Sequence, residues 1–200
     1  MTDPQWWWEP LRLEEAVALM DGFPGPWWVA AGWAIELHVR RRLRDHADVD
    51  LLVLRDDQAA IRAQLPGWDA RIAHDGRLEP WPEGMRIEPP RSGLWVRRDA
   101  RGPWQLQFLL AEADGGTWWF RRDPRIRMPV AAIGLRTADG IPYLTPELVL
   151  LFKSRHLRER DDFDFEAVLP LLDESARARL AAWLPQGHPW RNRIEGGLVV

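Results

Sequence analysis

The chain has 200 residues, 46% apolar and 28% charged, with no cysteine and a formal net charge of −3. These figures describe one globular domain, or one with a small appended lobe, and exclude a disordered or fibrous chain, disulfides, thiolate nucleophiles and cysteine-ligated metals. The acid excess argues against nucleic-acid binding through bulk electrostatics. No apolar run approaches the roughly 18 residues of a membrane span, and the acidic, tryptophan-rich start from Met1 to Pro10 differs from a secretory leader, so a cytoplasmic protein is expected.

In chain order, Arg12 to Met20 has Leu13, Val17 and Met20 at helical intervals and predicts a short amphipathic helix, stopped by the Gly/Pro-rich run from Asp21 to Pro26. Trp27 to Ala31 then predicts a strand, Gly32 a tight turn, and Trp33 to Arg42 a helix. Val49 to Leu54 is apolar except for Asp50, the pattern of a strand buried on both faces with one functional interruption. Asp56 or Asp57 can cap a helix reaching about Leu65. From Pro66 to Arg101 Gly and Pro break the text, leaving short strand candidates at Trp68–Ala73, Met85–Glu88 and Leu94–Arg98. Gln105 to Ala111 predicts another strand, folded back through Asp114-Gly115-Gly116 onto Thr117 to Arg121.

Thr145 and Pro146 open a helix expected to reach about Arg158, followed by helices over Asp162–Leu172 and Ser175–Leu184. The expected organisation is therefore an α/β core over 1–144, a helical lobe over 145–185 and a loose tail over 186–200. The fourteen tryptophans, many adjacent as in Trp6–Trp8, Trp27-Trp28 and Trp118-Trp119, read either as packing residues or as a stacking platform for bases or sugars.

Chemistry concentrates at Gly32 and in Arg44-x-His46-x-Asp48-x-Asp50. Acids two apart at the mouth of a buried strand leave one face, with Cα atoms roughly 6.5 to 7 Å apart, and both can reach one hard cation. Magnesium is the natural choice. Gly32 leaves room for a phosphate, and the helix start behind it offers free N–H groups. Acids at this spacing are elsewhere commonly turn or cap residues; the strand–glycine–helix before them and the apolar run after them favour a metal site.

The segment from Trp27 through Gly32 to Leu37, with Arg44-x-His46-x-Asp48-x-Asp50 behind it, resembles nucleotidyltransferase-fold proteins related to aminoglycoside 2''-adenylyltransferases and lincosamide nucleotidyltransferases. Trp118 to Pro124, Ile141 to Lys153 and Asp161 to Glu166 extend the likeness over about Trp27 to Leu172. The resemblance implies an α+β fold, a mixed sheet flanked by helices with a C-terminal helical lobe. It implies magnesium-dependent transfer of a nucleoside monophosphate from a nucleoside triphosphate such as ATP to a hydroxyl. Asp48 and Asp50 would hold the metal, Ala31 and Gly32 would contact triphosphate, and Arg44 and Lys153 would neutralise it, with His46 in support.

Two departures stand out. The family's usual Gly-Gly or Gly-Ser is Ala31-Gly32 here, and a later strand that often carries a third acid has Gln105 and Gln107 instead. A glutamine carbonyl can ligate weakly but cannot act as a base, so Glu79, Glu88 or Glu112 would have to move in, or the reaction would be slow or lost. Lys153, Arg155, Arg158 and Arg160 also suit a helix C-terminus, and Asp161, Asp162, Asp164 and Glu166 either cap the next helix or line a site for a polycationic acceptor. Arg121 and Arg122 read as surface or fold-supporting charges. His38, His74, His156 and His188 lack metal-ligand spacing. Three functions stay open: an enzyme acting on a small molecule, a toxin-like enzyme acting on RNA or protein, and a nucleotide-binding module that no longer turns over.

Overall fold

The computed structural model describes residues 6–155 and 157–196; His156 and the last four residues of the expected tail lie outside them. The elements run α1 (Leu13–Ala18), β1 (Trp27–Val29), α2 (Ala31–Val39), β2 (Asp50–Leu54), α3 (Gln58–Gln64), β3 (Asp69–His74), β4 (Arg77–Pro80), β5 (Gly93–Arg97) and β6 (Leu106–Asp114). They continue with β7 (Thr117–Phe120), β8 (Asp123–Pro129), β9 (Gly134–Arg136), β10 (Pro142–Leu144), α4 (Pro146–Lys153), α5 (Glu159–Val168), α6 (Glu174–Trp183) and α7 (Pro189–Gly196). This is the expected mixed sheet flanked by helices.

The sheet order is β4-β3-β5-β6-β2-β1-β10-β9, with β7 added to the far end of β6 and β8 to β7. β2 runs parallel to β6, and β1 parallel to β10; the other pairs are antiparallel. Val29, Leu51, Val53 and Phe108 are fully enclosed, which explains the near-continuous apolar text of the central strands. Gly134 is required because the Trp28 indole occupies the space its side chain would need. Both lone and paired tryptophans serve packing: Trp28, Trp81, Trp104, Trp118 and Trp190 are buried, and Trp6 and Trp8 meet Trp95 edge to face, as Trp95 does Trp104.

Several expectations are corrected. Met85–Glu88 is a loop, pinned where the Ile87 N–H donates to Gln58 and its carbonyl accepts from Arg55. Asp57 stands at an N-cap position but makes no cap bond with its side chain, and neither does Thr145. α2 ends at Val39 because Arg40 turns left-handed, with φ of 56°. α4 stops at Lys153, five residues short of Arg158, and α5 begins at Glu159. The expected loose tail contains α7, whose Trp190 is buried and stacks on Phe165 at 4.8 Å. Strands β4, β8, β9 and β10 have no sequence counterpart. β9 and β10 are three residues each, and β8 alternates Arg with apolar residues at the sheet margin.

Candidate active site

β2 begins at Asp50, and its register partner on β6 is Gln107, so the two side chains are neighbours on one face. Asp50 is buried while Asp48, in the lead-in to the strand, is exposed. Burial and the repulsion of Asp48 push the Asp50 carboxyl up to about 7, against the opposing pull of Lys153. No described cation is within ion-pair distance of either acid. The two acids thus lie close together with no ion-pair partner of their own, and hard oxygens so placed fit a divalent ion. Among the described residues no group of three acids or histidines is placed to hold a metal ion, so a metal here would draw its remaining ligands from Gln107, phosphate and water.

The corner before α2 faces the same strand: the Ala30 N–H donates to the Asp50 carbonyl at 2.8 Å. Ala30 caps α2 with no side-chain bond, and the first intrahelical donor is Ala34, bonded to Ala30 at 3.3 Å. The N–H groups of Ala31, Gly32 and Trp33 therefore have no helical acceptor, the usual condition for anion binding. Ala31 holds φ of 51°, the left-handed region an alanine adopts only under constraint. The missing side chain of Gly32 makes room for Arg44 and His46, whose atoms fill the position a Cβ would occupy. The space expected to admit a phosphate is thus taken by these two side chains, and what the corner leaves open is its backbone N–H groups.

Arg44 and Lys153 come together through α5. The Arg44 guanidinium donates to Asp164 through Nε at 3.3 Å and Nη2 at 3.1 Å, and Lys153 Nζ contacts Asp161 at 2.8 Å and Asp164 at 2.9 Å. Both acids are fully buried. Burial alone would raise the Asp161 carboxyl, but hydrogen bonds from Arg158 and Lys153 outweigh it and hold the group at about 2. Asp162 and Glu166 are also occupied, both by Arg193. Asp161, Asp162, Asp164 and Glu166 thus do more than cap the helix, and each already has a cationic partner.

His46 is fixed from three sides. Arg44 Nη1 donates to its Nδ1 at 3.2 Å, placing the ring proton on Nε2, 2.9 Å from Glu36 Oε1, and Trp33 packs on the ring at 4.4 Å. Burial and the Arg44 charge lower the imidazole below its ordinary value despite Glu36. Glu36 also accepts from the backbone of Leu43 and Arg44, at 2.8 and 3.1 Å. Sequence reasoning missed Glu36; its signal was a lone carboxylate in the apolar text of α2.

None of the three candidate replacement acids reaches Asp50. Glu79 pairs with Arg91, Glu88 with Arg86, and Glu112 is buried and gripped by Arg55 Nε at 2.9 Å. Gln105 is turned away to accept from the Arg98 backbone.

A cavity of about 220 Å³ adjoins the corner, with Ala30, Ala31, Leu52 and Leu109 in its wall. Leu52 and Leu109 are register partners one pleat beyond Asp50 and Gln107, so the cavity and the acid pair share a sheet face. Trp118, Phe120 and Phe152 form its aromatic side, with ring centroids 5.1 to 6.4 Å apart.

A sequence model of the aminoglycoside-2''-adenylyltransferase family matches residues 12–77, the stretch that contains Gly32, Arg44, Asp48 and Asp50. No curated protein matches the sequence. Among solved structures, the lincomycin-bound lincosamide antibiotic adenylyltransferase LnuA superposes with a TM-score of 0.57 at 17% identity, covering 82% of this chain and 100% of its own. ANT(2'')-Ia in complex with adenylyl-2''-tobramycin gives 0.57 at 15% identity, over 86% of this chain and 94% of its own. The chain therefore has the nucleotidyltransferase fold and is similar over residues 12–77 to the aminoglycoside-2''-adenylyltransferases.

Proposed function

We propose that the protein transfers a nucleoside monophosphate from a nucleoside triphosphate to a hydroxyl of a small molecule. The observation that carries this reading is the pair of acids Asp48 and Asp50, without an ion-pair partner, beside the uncapped N-terminus of α2, whose Ala30 and Ala31 line the adjoining cavity. The acceptor oxygen attacks the α-phosphorus in line, the bond from that phosphorus to the bridging oxygen breaks, and pyrophosphate leaves with the displaced electron pair. Magnesium held by Asp48 and Asp50 would supply charge neutralisation for the triphosphate.

The chain's own contribution is positioning. The N–H groups of Ala31, Gly32 and Trp33 receive phosphate oxygens. Lys153 uses two of its three donors on Asp161 and Asp164, leaving one for the triphosphate. Arg44, packed on Gly32 and bidentate to Asp164, locks α5 against the corner and acts on phosphate only through its charge. Release of the acceptor proton falls to solvent or to the aspartate pair, because Gln107 cannot accept it and Glu112 is engaged.

A second reading, a nucleotide-binding module that does not turn over, is favoured by Gln107 in register with Asp50. Calorimetry with nucleoside triphosphates and magnesium, followed by a pyrophosphate-release assay with hydroxylated acceptors, separates the two. Binding with acceptor-dependent release supports the enzyme; binding without release supports the inert module; no binding contradicts both.

A further inference from the structure

Arg121 and Arg122 line the mouth of the aromatic cavity at the end of β7, and Arg155 stands beside them just beyond α4. Arg122 Nη1 donates to the Phe152 carbonyl at 2.9 Å, which anchors it at the rim. No described carboxylate is within ion-pair distance of any of the three, and Arg121 and Arg155 are exposed. Burial, and after it the charges of Arg121 and Arg155, press the Arg122 guanidinium below its ordinary value.

The negative side of the account is empty. Glu112, the cavity's acid, is neutralised by Arg55, and Asp161, Asp162, Asp164 and Glu166 of α5 are held by Arg44, Lys153, Arg158 and Arg193. At this rim a cation would meet three arginines with no carboxylate partner, the unpaired acids Asp48 and Asp50 lying one pleat further along the sheet, whereas an anion would meet guanidinium groups of the geometry suited to carboxylate or phosphate.

We infer that the acceptor of this site is a compact aromatic or otherwise apolar hydroxyl compound bearing an acidic group, its body against Trp118, Phe120 and Phe152 and its anion on Arg121 and Arg155. This rests on the transfer reading for the word acceptor; the charge preference of the cavity stands apart from it. The apolar floor of Leu52 and Leu109 takes the hydrocarbon part and leads toward Asp50, so a hydroxyl opposite the acid points at the transfer site.

The test uses the full chain and three matched probes: hydroxymethylbenzoate, hydroxymethylbenzamide and aminomethylbenzyl alcohol. Binding is followed by tryptophan fluorescence, without nucleotide and then with nucleoside triphosphate and magnesium. The carboxylate is expected to bind tightest and the amine weakest, and Arg121→Glu with Arg155→Glu to weaken the carboxylate on the order of tenfold and strengthen the amine. Equal affinities, a preference for the amine, no quenching by any probe, or displacement of the carboxylate by nucleotide would each overturn the inference. A pyrophosphate-release assay run in parallel keeps the two readings apart: the predicted binding order without any nucleotide-dependent release upholds the cavity's preference and removes only the transfer reading.

Discussion

Asp50 and Gln107 face each other across parallel strands β2 and β6, an amide standing where a carboxylate would make a third acid beside Asp48 and Asp50. Replacing Gln107 with Asp or Glu is therefore expected to tighten magnesium binding on the order of tenfold. The same change should lower stability in the absence of metal, because it adds a like charge beside Asp50. Magnesium titration followed by calorimetry, with melting curves at zero and saturating metal, measures both effects.

Asp50 makes a prediction of opposite sign to the common carboxylate. Its carboxyl in the folded chain is pushed up to about 7, above the ordinary 3.8. Such a group binds its proton more tightly when folded, so ionising it opposes folding: stability is highest below the unfolded value and declines as pH rises between about 4 and 7. Asp50→Asn is expected to raise Tm at pH 8 by a few degrees, roughly 2–4 °C per kcal/mol at this size, and to make no difference at pH 3.5. Magnesium should recover part of that stability in the native chain and none in the variant.

Asp161 titrates the other way. Held at about 2, it contributes stability that is full above the ordinary 3.8 and lost as pH falls toward 2. The difference in Tm between the native chain and Asp161→Asn should therefore be constant from pH 5 to 8 and shrink below pH 4.

Asp164 bridges Arg44 and Lys153, both largely buried. Asp164→Ala leaves Arg44 without a carboxylate and is expected to cost about 3 kcal/mol in denaturant unfolding, as for other broken buried pairs. Arg193→Ala removes pairs at the surface and should cost about 0–1 kcal/mol, which sets the scale for comparison.

Ala31 carries the strain of the corner. Glycine removes the roughly 1–2 kcal/mol penalty of a left-handed L-residue and adds unfolded-state entropy of similar but smaller size. Ala31→Gly should thus match or slightly exceed the native chain in stability, while Ala31→Val should fall below it by more than about 1 kcal/mol. Thermal unfolding of the pair checks the assignment.

The parts of the fold legible in the sequence are those whose signal is local. The Trp27–Val29 strand, the glycine corner and the apolar β2 run carry hydrophobic patterning within a few residues, and Asp48-x-Asp50 stands out because charge interrupts that pattern. β9 and β10 are too short for any period, and β10 is a strand only through its pairing with β1 on one side and β9 on the other. The pairing of Arg44 with Asp164 spans 120 positions and leaves no trace in spacing, which is why Arg44 read as a free phosphate ligand. Arg121 and Arg122 read as bland surface charge because their distinction is the absence of acid neighbours, a property only the folded chain defines.

A divalent ion between Asp48 and Asp50, facing a triphosphate, is the centre of the proposed reaction. Manganese binding followed by electron paramagnetic resonance, with a nucleoside triphosphate present, tests it in the native chain and in the Asp48→Asn/Asp50→Asn variant. One ion bound in the ternary complex with the native chain, and loss of that signal in a folded double variant, is the predicted result. Equal manganese binding by both proteins would contradict it.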